Sequence, residues 1–161
     1  MYEKEKNEKD ILYILEHLRM EDEHEALIQK GDNFKEIILE EIMNKNTRTY
    51  LGCRKSDDVP VCVGGYVDTS EKGIGVVWLL STPDIEKNKT CFLRNVIKAF
   101  DEIDNKYWFT YNILYSENKF AKKWLKKLGY RFNNPHPSGL DIPSGFEFFY
   151  RMRETRGLGD K

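Results

Sequence analysis

Apolar side chains recur along the chain with two different periods, and the changes of period mark out its elements. The segment DILYILEHL (10–18) mixes aliphatic, β-branched and aromatic residues and reads either as a strand or as the start of a helix. A short helix is predicted over about 19–30, with Met20, Ala26, Leu27 and Ile28 as its apolar members and Gly31 as its stop. Asp32 or Asn33 can cap a second helix, in which Phe34, Ile37, Ile38 and Ile42 share one face. Three strand-like segments follow, at 47–55, 60–68 and 73–81. The short polar turns SDD and TSEKG between them predict antiparallel hairpins.

The third of these segments is apolar at successive positions, which predicts burial on both faces in mid-sheet. The Gly64–Gly65 pair inside the second predicts a bulge or a close backbone approach. A helix at about 90–104 carries Phe92, Leu93, Val96, Ile97, Phe100 and Ile103 at helical spacing. A strand at 107–115 and a helix at 118–128 come next. The inner stripe of that helix is Phe120, Ala121, Trp124, Leu125 and Leu128, its lysines are a solvated face, and Gly129 ends it. A turn-rich loop (132–145) and a closing strand (146–152) complete the pattern.

The strand–helix–strand crossover at 73–115 requires one parallel pair inside an otherwise antiparallel sheet. The predicted class is therefore α+β: a mixed sheet of six or seven strands with one parallel central pair, flanked by about four helices. One domain is expected over 10–152, with flexible ends at 1–9 and 153–161.

Composition narrows the possibilities. The 161 residues suit a single domain, and 26 Lys+Arg against 27 Asp+Glu leave a formal charge of −1. That balance lacks the positive field of a nucleic-acid or membrane binder. No apolar run has the length of a membrane span and MYEKEKNEKD is no signal peptide, so a cytoplasmic location is expected. Cys53, Cys62 and Cys91 have no metal-type spacing and are expected to be reduced, with Cys62 and Cys91 buried; no metal site is expected.

The run ENKFAKKWLKKLGY (117–130) resembles the last helix of GNAT (N-acetyltransferase) proteins. There an Asn opens the helix, a small residue follows three positions on, and a Gly-aromatic pair starts the next strand. Asn118, Ala121, Gly129 and Tyr130 stand at those places. The run WLLSTPDIEKNKTCFLRNVIKAF (78–100) with WLKKLGY is similar to phage- and prophage-encoded GNAT-like proteins, which include an internal virion protein of short-tailed phages. Their N-terminal Arg-x-x-Asp-x-x-Glu element is matched by Arg19, Asp22 and Glu25. For a phage-encoded chain the location would be the host cytoplasm or the virion.

The resemblance implies acetyl-CoA as the co-substrate, bound where the parallel strands splay. Main chain at Trp78, Leu79 and Leu80 would hold the pantetheine arm. The pyrophosphate would sit at the next helix N-terminus, near Thr90, with Lys87 and Lys89 as cations and Asn118 as a further contact. The chain departs from the family in two places. Residues 81–91 contain no glycine where active members have a Gly-rich loop, and Leu125 stands where many carry a proton-donating Tyr. Tyr115 is the candidate substitute. The partner would be an amine acceptor, small molecule or protein, with a homodimer left open.

Arg19, Asp22 and Glu25 are spaced to share a helix face, and two readings stand: an exposed ion-pair ladder, or the border of an acceptor cleft. On the second, Glu21, Glu25 or His24 would be the base for an acceptor ammonium, and imidazole titrates near neutrality. Two functions follow: acyl-CoA-dependent N-acetyl transfer, or a non-catalytic GNAT-fold protein of phage assembly or host-protein binding.

Overall fold

The three predicted hairpin strands form one arm of a seven-stranded sheet, and the crossover carries the chain into the other. In the computed structural model, which describes residues 1–44, 47–133 and 139–153, the strands are β1 (Tyr2–Lys4), β2 (Arg48–Cys53), β3 (Pro60–Asp68), β4 (Ile74–Ser81), β5 (Phe109–Tyr115), β6 (Arg131–Asn133) and β7 (Phe146–Met152). The spatial order is β1-β2-β3-β4-β5-β7-β6, and β4–β5 is the parallel pair. The helices are α1 (Glu8–Glu16), α2 (Met20–Lys30), α3 (Phe34–Met43), α4 (Asp84–Lys87), α5 (Lys89–Lys106) and α6 (Lys119–Lys127).

Helices cover both faces of the sheet, as the two-sided apolar content demands. On one face Ile11, Ile14 and Leu15 of α1 and Phe34, Ile38 and Ile42 of α3 pack on Leu51, Cys53 and Val63. On the other, Phe100 and Ile103 of α5 and Ala121 and Leu125 of α6 pack on Val77, Leu114 and Phe149. Each fully buried aliphatic or aromatic side chain contributes roughly 1.5–3 kcal/mol.

Several expectations are corrected. The ambiguous segment 10–18 is helical: Asn7 caps α1 by accepting from the Asp10 N–H at 2.9 Å. The N-terminal residues join the sheet, where β1 pairs with β2 and Lys4 bridges Asp10 and Asp58 at 2.8 and 2.7 Å. A three-residue strand is too short to leave a period in the sequence. Arg153 joins the fold through its N–H to the Trp108 carbonyl (2.9 Å), while 154–161 lie outside the described residues. Among the described residues there are six helices where about four were expected, because the four residues of α4 are too few to carry a helical period and the pattern at 10–18 suits a strand as well as a helix.

The strand buried along nearly its whole length is β3 rather than β4. Gly65 meets the expected close approach, since a Cβ there would overlap the Arg48 carbonyl, whereas the bulge falls at Gly52/Cys53. Cys91 is exposed, with Ile97, because both lie off the buried line of Phe92, Phe100 and Ile103. No helix among the described residues is long and apolar enough to cross a membrane.

The largest correction concerns α2, whose large apolar residues face out while Ala26 faces in. Met20 is 78% exposed, with Leu27 and Ile28 also exposed, whereas Asp22 and Ala26 are buried and the preceding Arg19 is 4% exposed.

Candidate active site

The β4–β5 ladder runs from Ile74↔Phe109 to Val76↔Tyr111 and then stops. Beyond it the strands part, and Asn112 seals the fork by donating its side-chain amide to the Val77 carbonyl at 2.7 Å. Main-chain groups of alternate residues point to the same side of a strand, so Val77, Leu79 and Ser81 all face the gap. Ser81 is taken at its far end: its N–H donates to Asp22 at 2.8 Å and its carbonyl accepts from the Arg19 N–H at 2.9 Å. Leu79 lies between these two, with no strand opposite it on that side. The gap opens into a cleft of about 770 Å³ whose walls include Trp78, Leu79, Leu80, Asn112, Glu25 and Asn118.

The inward face of α2 closes the top of the fork with a buried polar network. Asp22 accepts from the Ser81 hydroxyl as well, at 2.6 Å. The guanidinium of Arg19 lies 3.6 Å from Asp22, 3.3 Å from Glu21 and 3.4 Å from Glu86, and sits 4.8 Å from the centre of the Phe120 ring. Asn118, 1% exposed, caps α6 by accepting from the Ala121 N–H at 3.2 Å. Its amide donates to Glu25 at 2.9 Å and to Asp22 at 3.3 Å. The Tyr115 N–H, at the end of β5, also donates to Glu25, at 3.2 Å. One network therefore ties α2 to the ends of β4 and β5 and to the start of α6. Such a network is strong only when every member is satisfied, as here.

Its electrostatics distinguish the two inner carboxyls. Burial raises both above the usual range, and Asp22 offsets this with the Ser81 and Asn118 hydrogen bonds and the Arg19 charge. Burial pushes Glu25 up to about 7, with the Asp22 charge acting in the same direction, against the hydrogen bonds from Asn118 and Tyr115. A carboxyl poised near neutrality in a cleft is suited to proton exchange.

The exposed-ladder reading of Arg19, Asp22 and Glu25 is overturned, because the face they share is turned inward. Of the predicted residues, Trp78, Leu79, Leu80, Glu25 and Asn118 line the cleft. His24 is exposed and rests its ring 4.5 Å from that of Tyr115. The Tyr115 ring also packs on Phe146, and Tyr115 meets the site through its main chain. Lys87, Lys89 and Thr90 are exposed residues of the α4–α5 segment and do not line the cleft among the described residues. Helix α4 fills the loop where glycines were missing, and Asn88 ends α4 and begins α5. Asp84 is held by Arg54 at 2.6 Å and lies 3.4 Å from Lys87.

Two participants were not singled out in the sequence. Asn112 had a signal, a polar residue inside the apolar run YWFTYNILY. Ser81 had none, because serine is ordinary at a strand end.

No family model matches the sequence, and no curated protein matches it. Solved structures do. An aminoglycoside 6'-acetyltransferase type Ii superposes with a TM-score of 0.66 at 17% identity, over 97% of this chain and 99% of its own. The ribosomal-protein-S18-alanine N-acetyltransferase from Escherichia coli gives 0.63 at 8% identity, over 98% and 95%. A GNAT-family acetyltransferase from Bacillus anthracis gives 0.65 at 10% identity, over 94% of each chain. At these identities the likeness is one of architecture. The forked seven-stranded sheet of this chain is the GNAT acetyltransferase fold.

Proposed function

We propose that the chain is an acyl-CoA-dependent N-acyltransferase that moves an acyl group, acetyl in the simplest case, onto an amine. The observation that carries this reading is Glu25, a carboxyl raised to about 7 at the mouth of a fork where the Leu79 main chain faces open space. Near neutrality about half of Glu25 is ionised and can take a proton from an acceptor ammonium. Acetyl-CoA supplies an activated thioester. The amine nitrogen attacks the thioester carbon, the C–N bond forms and the C–S bond breaks. Of the two protons the ammonium gives up, one goes to Glu25 and the other ends on the departing sulfur. The Leu79 N–H and C=O are suited to hold the amides of a pantetheine arm, and a fixed main-chain donor polarises a carbonyl without reorganising.

The fit is good along β4 and poor at the phosphate end. A helical turn carrying Asp84 and Glu86 stands where bare backbone would wrap a pyrophosphate, leaving Lys87, Lys89 and the α5 N-terminus near Thr90 for that charge. Weak, salt-sensitive binding is expected. Helix α4 and the buried Leu125 also favour a second reading, a GNAT-fold phage or prophage protein that binds a partner without catalysis.

Calorimetric titration with acetyl-CoA, followed by thiol release over a panel of primary amines, separates the two. The enzyme reading expects binding that weakens roughly tenfold in a Lys87→Ala/Lys89→Ala variant, and thiol release lost in Glu25→Gln. An absence of wild-type binding at millimolar acetyl-CoA would overturn it in favour of the second reading.

A further inference from the structure

The cleft does not stop at the fork. It continues between α5 and the sheet, where Tyr50, Gly64 and Leu79 form one cross-strand row. The middle of that row has no side chain, and none fits: a Cβ on Gly64 would lie 2.9 Å from Leu79 Cδ1 and 2.8 Å from the Trp78 carbonyl. Leu79 leans over Gly64, and Tyr50, Gly64 and Leu79 all line the cleft, which continues past them as a trough along the sheet. Val77, Phe92, Val96 and Phe100 wall it, and Val96 remains half-buried although it faces the sheet. Its far side is closed by polar groups, where the hydroxyls of Tyr50 and Tyr66 donate to Glu102 at 2.5 and 2.6 Å.

A two-carbon acyl group has no use for this space. We propose that the trough takes the hydrocarbon chain of a medium-length acyl thioester, so that the donor carries a chain longer than acetyl. The inference rests on the acyl-transfer reading above and specifies its donor. Three features support it. The trough is continuous with the position that faces Leu79, its walls are apolar, and the whole cleft of about 770 Å³ lies in the range of sites that enclose ligands of that size. The transfer is the same one: the amine nitrogen gains the acyl carbon, the sulfur leaves, and the chain stays in the trough.

The test is a titration of the full-length chain with CoA, acetyl-CoA, butyryl-CoA, hexanoyl-CoA and octanoyl-CoA, and with octanoyl-N-acetylcysteamine, which has no nucleotide. Each methylene buried should tighten binding about three- to fourfold until the trough is full. Val96→Trp, and independently Ala99→Leu at a neighbouring cleft-lining position of α5, should flatten that gradient and leave acetyl-CoA affinity unchanged. Binding of acetyl-CoA with a flat or falling gradient would overturn the trough inference and leave the acyl-transfer reading intact. Tight binding of the cysteamine thioester with no binding of any CoA compound would uphold the trough and overturn the CoA reading. If both variants failed to fold, the wild-type gradient would still decide.

Discussion

The side-chain amide of Asn118 donates to the carboxylate of Glu25 at 2.9 Å, joining the cap of α6 to the middle of α2. Because the same Asn118 accepts from the Ala121 N–H, its orientation is set by the helix it caps, and both amide hydrogens are left to point at α2. A residue whose spacing reads as a helix cap thereby also positions a carboxyl.

Glu25 should leave a pH signature on both activity and stability. As a base it acts ionised, so acyl transfer should rise with pH through about 7, and Glu25→Gln should lose on the order of 10²–10⁴-fold in rate together with that inflection. For stability the sign is opposite. A carboxyl raised in the fold above its unfolded value makes folding most favourable below the unfolded value, near 4.5, and that advantage disappears by about pH 7. Glu25→Gln should therefore stabilise the protein at pH 8, by up to about 3 kcal/mol, and change little at pH 4. Urea unfolding at the two pH values checks this.

Asn118→Ala removes a cap and two donors to buried carboxyls. It should cost about 2–3 kcal/mol and move the Glu25 titration upward, because the Asn118 hydrogen bond holds it down. Carbon-detected NMR of the glutamate carboxyls in a folded variant reads the shift directly.

Arg19 is buried among Glu21, Asp22, Glu86 and the Phe120 ring. Arg19→Ala leaves Asp22 buried without its cation and should destabilise by about 3–5 kcal/mol. Arg19→Lys should recover little, since an ammonium cannot reach several carboxylates and stack on a ring at once. Thermal unfolding of the pair of variants tests both statements.

Gly65→Ala should be among the most damaging single-methyl changes in the chain. Its Cβ would overlap the Arg48 carbonyl in the neighbouring strand, so β2 and β3 would have to separate. A loss of more than about 3 kcal/mol, or no soluble protein, is expected, whereas Gly31→Ala, where nothing lies within 4 Å, should cost only its backbone strain at φ 82°, ψ −170°, on the order of 1–3 kcal/mol.

Thiol labelling under native conditions should be strongly uneven. Cys91 is exposed and should react quickly, while Cys53 and Cys62 are buried, with burial pushing the Cys62 thiol up to about 12. Comparable rates at all three would contradict this packing.

Periodicity in the sequence by itself determined the succession of hairpins, crossover and closing strand, because each element buries a continuous apolar face and leaves its period behind. It also determined that Asn118 opens a helix and that Arg19, Asp22 and Glu25 share a side of one. Only the tertiary structure decided which side of α2 faces in. Met20, Leu27 and Ile28 make the conventional inward stripe, yet they lie outside. The reason is that the partners of the polar face are distant: the Ser81 main chain and hydroxyl, the Asn118 amide and the Tyr115 N–H come from three other elements. A buried carboxyl is tolerable only where such donors converge, and convergence is a property of the folded chain. The same holds for the fork, since the point where β4 and β5 part depends on a register between strands that no single segment contains.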